Sequence, residues 1–508
     1  MKKALLLNVI LFLWVSGSYA GTYYVNKYAT GNGSGNNWTN AFTTIEEAFK
    51  VTVAGDQVWV AAGVYKPLGT AYAIPNGIKI YGGFAGTETA LSQRDLKVST
   101  TTLDGDIGVA GVKEDNCTFV VTIADTSGQT LFDGFKIINA FNVTSESGGA
   151  IKVSGSATIQ NCEFTANQAA NGACIGFSGA GVLNVLHCSL NKNNAVNGSG
   201  IYAGGGTLYL KDSMIKSNRA SANGGAIYSL ATVIIDRCDI SGNFANNSGG
   251  AFYSDNAATY EIYNSIIVGN YAANYAVMYM ALLNVNIHKI INCTISGNRC
   301  QDESKSGALI ALNVDRNSQF YNNIVWSNIA LAQVVGGTID KCFIMGSIPY
   351  NYSVIEISRA DPGLINAAVP GDVPFTTDGY NYHLAASSPA INYGSNSYVS
   401  PSCNYDLEGN ARVYGTAADA GAFESQILSA DGFQDAKIAY FYHAGSKSLV
   451  FVKNASLLLD KEVDIYDFSG RLVAKNKITS DTMPLNLQAN AYYIAKVEGA
   501  GSLKFFVK

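Results

Sequence analysis

GGAIYSLATVIIDRCDISGN, residues 224–243, decides the fold, because its pattern returns about every 25 residues along the middle of the chain. If Cys238 is the zero of its repeat, the other zeros are Cys162, Cys188, Ser213, Ser265, Cys293, Asn323 and Cys342. The successive intervals are then 26, 25, 25, 27, 28, 30 and 19 residues. Three places before zero stand Ile159, Val185, Leu210, Ile235, Ile262, Ile290, Phe320 and Ile339. Two places after it stand Phe164, Leu190, Ile215, Ile240, Ile267, Ile295, Val325 and Ile344, so both columns are apolar throughout. Five places after zero stand Asn167, Asn193, Asn218, Asn243, Asn270, Asn298 and Asn328, and only the last repeat differs, with Ser347. A small-residue corner recurs as Gly149-Ala150, Gly172-Ala173, Gly200-Ile201, Gly225-Ala226 and Gly250-Ala251.

This period leaves no room for two helices, and its short β-branched runs lie between Gly and Asn corners, the mark of a solenoid of strands. Within one straight strand, positions minus 3 and plus 2 would face opposite sides, because side chains alternate. Both are apolar, so a bend must separate them. The residue before zero is Asn161, Asp212, Asn264, Asn292 or Asn322 in five repeats, types that tolerate a left-handed backbone. The fold expected is all-β: a right-handed parallel β-helix whose coils stack about 4.8 Å apart. From about residue 56 to 350 the period allows roughly 11 to 12 coils, about 50 to 55 Å of stack. The Asn column is expected to be a ladder that satisfies buried turn groups between coils. The Cys and Ser zeros are expected to point inward as small, unpaired side chains.

Residues 1–20 read as a signal peptide: Lys2 and Lys3, an apolar run from Ala4 to Val15, then Ser18-Tyr19-Ala20 as a cleavage site. Removing Lys2 and Lys3 takes the formal charge from −5 to −7 over the remaining 488 residues. Charged residues make up 14% of the chain. That sparse, weakly acidic composition argues against nucleic acid or an anionic membrane as partner, and no later apolar run reaches the roughly 18 residues of a spanning helix. In Gly21 to Ile107, Thr44-Ile45-Glu46-Glu47 has the form of a capping box, with Ile45, Ala48 and Phe49 on one apolar stripe. This helix is expected to plug the open first coil.

The segments YYVNKYATGNGSGNNWTNAFTTIEEAF (23–49), GDQVWVAAGVYKP (55–67) and GIKIYGGFAGTE (77–88) resemble the opening module of exported bacterial parallel β-helix proteins of pectin-lyase-like fold. Gly224 to Tyr228 and Phe164 to Asn167 are similar to the short repeats of polymorphic outer-membrane proteins. Residues 21–350 would then form the β-helix with its cap. Residues 351–428 contain ADPGL, YNYHLAASSPAINYG, DLEGNAR and ADAGAFE, and resemble the tail module called choice-of-anchor Q, expected to close the helix. Residues 429–508 change to alternating strands, with two around Phe468-Ser469-Gly470 and two more at Ala491 to Val497 and Ser502 to Val507. VDIYDFSGRLV, AYYIAKV and KFFVK resemble the C-terminal β-sandwich sorting domain of type IX secretion, though Asn490-Ala491 stands where that family has a Gly. The resemblance implies a secreted protein attached to the outer membrane of a Gram-negative bacterium, with the secretion machinery as partner.

A β-helix invites comparison with polysaccharide lyases and glycosidases. Glycosidases use two carboxylates across a cleft. Lyases of this fold pair a calcium cluster of acids with a basic residue, so calcium is the one cofactor that the resemblance leaves open. Asp104 and Asp106 form the best acid pair, placed on one face by alternation. Asp236, Arg237 and Asp239 surround Cys238, with Arg237 expected at a solvated corner. His187 falls at a corner, His288 within a strand, His383 in the tail and His443 in the last segment, and no two have metal spacing. Asp406, Arg412, Asp419 and Glu424 are expected to pair inside the tail. The sequence therefore reads as a non-catalytic adhesin or glycan-contacting surface rod, with host or cell-surface polysaccharide as partner. The alternative is a polysaccharide lyase or glycoside hydrolase on the same scaffold.

Overall fold

The computed structural model describes residues 20–426 and 439–507, apart from 256–257, 281–285, 302–307, 313–316, 349–352, 369–374, 444–445, 454–458, 468–469 and 498–500. The expected signal peptide, like most of the Phe468-Ser469-Gly470 turn, lies outside the described residues.

The repeat bends where its corner residues allow. Asn161, His187, Asp212, Arg237, Asn264, Asn292, Asn322 and Lys341, each just before a zero, all have φ between 49° and 56°. One coil runs Thr207–Lys211, Met214–Lys216, Arg219–Asn223 and Ile227–Ser229, then rises to Thr232–Asp236. Stacked in parallel, these segments build four sheets of 13, 12, 10 and 7 strands, a right-handed parallel β-helix. Eleven strands of the longest sheet fall between Gln57 and Asp340.

Both apolar columns stack in register. Ile159, Val185, Leu210, Ile235 and Ile262 are successive partners in the 13-stranded sheet, as are Phe164, Leu190, Ile215, Ile240 and Ile267 in the 12-stranded one. All ten are buried in one core. Between the columns the zero residues point inward: Cys162, Cys188, Cys238, Cys293 and Cys342 are buried and free, as are the other four cysteines, and burial pushes the Cys293 thiol up to about 12.

The Asn column forms a ladder. The side-chain amide of Asn193 donates to Asn218 Oδ1 at 3.0 Å, Asn218 to Asn243 at 3.0 Å, and Asn243 to Asn270 at 3.0 Å. Each Oδ1 also accepts the backbone N–H of the preceding Asn. On the 10-stranded sheet Tyr202, Tyr228, Tyr253 and Tyr279 stack at 5.2, 4.8 and 5.0 Å, the coil spacing itself.

At the N-terminal end, helix Ile45–Phe49 begins at the capping box: Glu47 donates its backbone N–H to Thr44 Oγ1, and Thr44 donates its own to Glu47 Oε2. Ile45 and Ala48 join Val25 and Phe42 in the core, so the helix covers the first coil.

The segment 360–426 lies along the flank of the later coils. The first outward position of the 12-stranded sheet shows why: Glu163, Ser189, Met214 and Asp239 give way to Ile266, Thr294, Ile324 and Phe343. Tyr382, Ala422 and Phe423 pack on Ile266 and Val268, and Leu384, Ala390 and Ala420 on Ile324 and Phe343. Gly421 donates to the Asn322 carbonyl at 2.8 Å and Ala422 to Thr294 Oγ1 at 3.0 Å.

Beyond residue 438, antiparallel sheets of three and four strands share a core of Leu449, Phe451, Val463, Ile465, Tyr493 and Val497, a small sandwich. Asn490 has φ 59°, a left-handed corner just before strand Ala491–Val497. Among the described residues no helix is long and apolar enough to cross a membrane.

Candidate functional site

The outward face of the 13-stranded sheet carries two columns, four and two places before zero. On four successive coils these are Tyr209 and Lys211, Ile234 and Asp236, Glu261 and Tyr263, then Lys289 and Ile291. Alternation turns these side chains outward while Leu210, Ile235 and Ile262 turn in. The tail builds a wall beside them. Asn264 donates to the Cys403 carbonyl at 2.9 Å, and the Tyr398 ring stacks on Tyr321 at 4.1 Å. Between wall and sheet lies a cavity of about 510 Å³, reached also by Asn184, Ser400 and Ser402.

The charges in this groove are matched. Asp236 is buried, accepts the Asn264 amide at 2.8 Å, and lies 3.2 Å from Arg237 and 3.6 Å from Lys211. Burial pushes its carboxyl above the usual range in spite of these partners. Glu261 meets Lys289 at 2.9 Å and the Tyr263 hydroxyl at 2.8 Å. Arg237 donates to both oxygens of Asp212, at 2.7 and 2.8 Å. Its side chain is only 12% exposed, so the expectation of a solvated corner fails: the backbone does turn there, but two carboxylates hold the guanidinium flat against the sheet.

Asp104 and Asp106 do meet, each 3.8 Å from Lys66 Nζ. Asp104 Oδ1 accepts the backbone N–H of Asp106 and the Asn139 amide, which closes the turn. Asp239 pairs with Lys216 at 2.8 Å, beneath the tail and away from Asp236. Arg412 and Glu424 pair at 3.3 Å with both side chains fully buried beside Asp406 and Asp419; burial pushes Glu424 up to about 8. His187 takes its corner, and His383 lies 3.0 Å from Glu408. His443 ends strand Ala439–His443. His288 stands just before strand Lys289–Ile291 and not within it, because its backbone N–H donates to Ser318 Oγ at 3.1 Å and not to a neighbouring strand; its ring Nδ1 accepts the Tyr260 N–H at 3.1 Å. Among the described residues no three His, Cys, Asp or Glu gather as a metal site.

Sequence reasoning missed Tyr209, Lys211, Glu261 and Lys289. They occupy the same repeat register as the columns that fix the fold, so reading positions minus 4 and minus 2 would have found them.

No protein family's sequence profile matches the chain, and no curated protein matches it. Solved structures do. A pectate lyase, Pel9A, superposes with a TM-score of 0.53 at 17% identity, covering 80% of this chain and 97% of its own. A rhamnogalacturonan lyase gives 0.38 at 12% identity, covering 82% and 98%, and XylC in complex with xylose gives 0.35 at 13%, covering 80% and 99%. At such identity the likeness to the pectate lyase is one of architecture: this chain has the pectate-lyase-like parallel β-helix fold.

Proposed function

We propose that this protein is an exported, cell-surface rod that holds an extended, hydroxyl-rich glycan in the groove between the 13-stranded sheet and the tail, without cleaving it. The supporting observation is the groove's chemistry. Tyr209, 39% exposed, offers a ring face and an O–H, while Asp212, Asp236 and Glu261 are each already matched by Arg237, Lys211 or Lys289. Such pairs orient donors and acceptors for sugar hydroxyls and leave the groove near neutral. Export rests on the signal-like residues 1–20 and on the resemblance of 429–508 to a sorting domain.

The second reading, a lyase or hydrolase, is favoured by the same groove, since acids and lysines line a β-helix sheet and the fold is shared with a pectate lyase. One experiment separates them. The chain from Gly21 is incubated with neutral and uronic-acid polysaccharides, with and without calcium, while reducing ends, unsaturated-sugar absorbance and retention in affinity electrophoresis are followed. Retention of a neutral glycan without product, weakened about tenfold (about 1.4 kcal/mol) by Tyr209→Ala, is the outcome expected. New reducing ends or unsaturated product from any polymer would overturn it in favour of the enzyme.

A further inference from the structure

The seven-stranded sheet carries a second trough, of opposite character. Its outward column runs Phe141, Gln168, Asn194, Arg219, Phe244 and Tyr271, one residue per coil. Two cavities, of about 240 and 220 Å³, share Gln168 and Asn194 and so join along this column. Lys113 and Lys192 line the first and Arg219 the second, and neither has an Asp or Glu in its wall. Among the described residues no carboxylate lies within ion-pair distance of these three cations. Their contrast with Lys211, Arg237 and Lys289, all paired, is plain in a chain whose formal charge is −5.

The rest of the lining agrees with a polar, chain-like occupant. Asn116, Gln168, Asn194 and Asn246 present amides, which both donate and accept. The Arg219 guanidinium lies 4.0 Å over the Phe244 ring, which stacks in turn on Tyr271 at 5.2 Å, so the cation is held on a platform with its donors free. Lys192 and Arg219 also sit on coils whose corners the tail's Phe375 does not cover. In the corner column of this sheet, Gly242, Gly269 and Gly297 lie beneath Phe375 with no room for a Cβ, whereas the equivalent place on an uncovered coil carries exposed Lys192, at φ 56°.

We infer that this trough binds a linear uronic-acid polysaccharide, one carboxylate per sugar ring, along the helix axis. Lys192 and Arg219 fall on adjacent coils, about 4.8 Å apart in height. Such a low density of single cations interleaved with amides suits one charge and several hydroxyls per ring. A heavily sulfated chain or a nucleic acid would need cations packed more closely. This site is separate from the neutral-glycan groove proposed above, and each stands if the other fails.

The test uses the whole chain from Gly21 and a fluorescently labelled galacturonic-acid octamer, with the carboxyl-reduced neutral octamer as control, read by anisotropy. The acidic octamer is expected to bind, and to lose at least about tenfold in affinity when salt is raised to about 0.5 M. It should lose a similar factor in the double variant Lys192→Gln and Arg219→Gln, whose positions are exposed and whose circular dichroism should be unchanged. The octamer should still bind to Lys211→Gln with Lys289→Gln, which empties the other groove of lysines. The inference is overturned if the octamer does not bind, or if the first double variant binds it normally. Loss in the second variant alone would place it in the other groove. Tighter binding of a sulfated glycan or single-stranded nucleic acid of equal length would also sink it.

Discussion

Asn218→Ala tests whether the ladder holds the coils together. Asn218 is fully buried, and its amide donates to the Leu190 carbonyl at 2.8 Å and to Asn243 Oδ1 at 3.0 Å. Its Oδ1 accepts the backbone N–H of Asn193 at 3.1 Å and the Asn193 amide at 3.0 Å. Alanine removes all four bonds and strands the Asn193 N–H where water cannot reach. An orphaned buried donor costs about 1–3 kcal/mol, and the other bonds contribute about 1 kcal/mol each, net. The expected loss is about 4–6 kcal/mol. Asn328, half-buried at the end of the ladder, supplies the control. Asn328→Ala removes three bonds, from the Asn298 N–H at 2.9 Å, from the Asn298 amide at 3.0 Å and to the Ile295 carbonyl at 2.9 Å, but all are partly exposed and water can replace the lost partner, so about 1 kcal/mol is expected. Urea denaturation gives the two values, and hydrogen exchange at the Asn193 and Asn298 amides shows where the structure opens, since each coil touches only its neighbours. If the two substitutions cost the same, or Asn218→Ala costs less than about 1 kcal/mol, the ladder is decoration and the apolar columns alone hold the stack.

Two further outcomes follow from buried charge. Burial lowers the His288 pKa from 6.5 to about 4, so its stabilisation is present above about pH 6.5 and is lost as pH falls toward 4, by up to roughly 3 kcal/mol. Urea midpoints at pH 7.5 and 5 should show this, and His288→Gln should flatten the difference. Glu424 is pushed the other way, from 4.5 to about 8, so its contribution is present below its ordinary value and declines as pH rises toward 8. Above about pH 8, where that carboxyl is ionised, Arg412→Leu leaves it without its cation and should loosen the tail by about 3–5 kcal/mol, seen as faster proteolysis within residues 360–426 while the coils stay protected.

The scaffold was legible because it is written many times over. Columns at minus 3 and plus 2 gave the paired strands, and the corner needed at minus 1 is left-handed even where His187, Arg237 or Lys341 fills it. Thr44 and Glu47 marked the helix because a capping box is a local device. The groove was not legible in the same way. One wall, Ser400 to Cys403, comes from more than a hundred residues beyond the sheet that it faces, and nothing local pairs Asn264 with the Cys403 carbonyl. Arg237 misled for the same reason: a corner backbone says nothing about whether carboxylates from its own and the preceding coil will reach its side chain. The turn from polar to apolar at Ile266, by contrast, was visible in the sequence as a change in one column, and it marks where apolar packing between tail and rod begins.

That covered flank also limits how such a molecule changes length. The tail grips particular heights of the stack, at Asn264, Thr294 and Asn322, through bonds and ring contacts spaced to those coils. A coil duplicated or deleted between Ile266 and Phe343 would slide every later grip by one rung against a strap of fixed length. A coil gained or lost between Cys162 and Asp239 moves nothing that the strap holds below Ile266, at the cost of re-forming the few ties, such as Lys216 to Thr377, that cross the boundary. Variation in rod length, natural or engineered, belongs in the uncovered half, so reach and grip are set by different parts of one repeat.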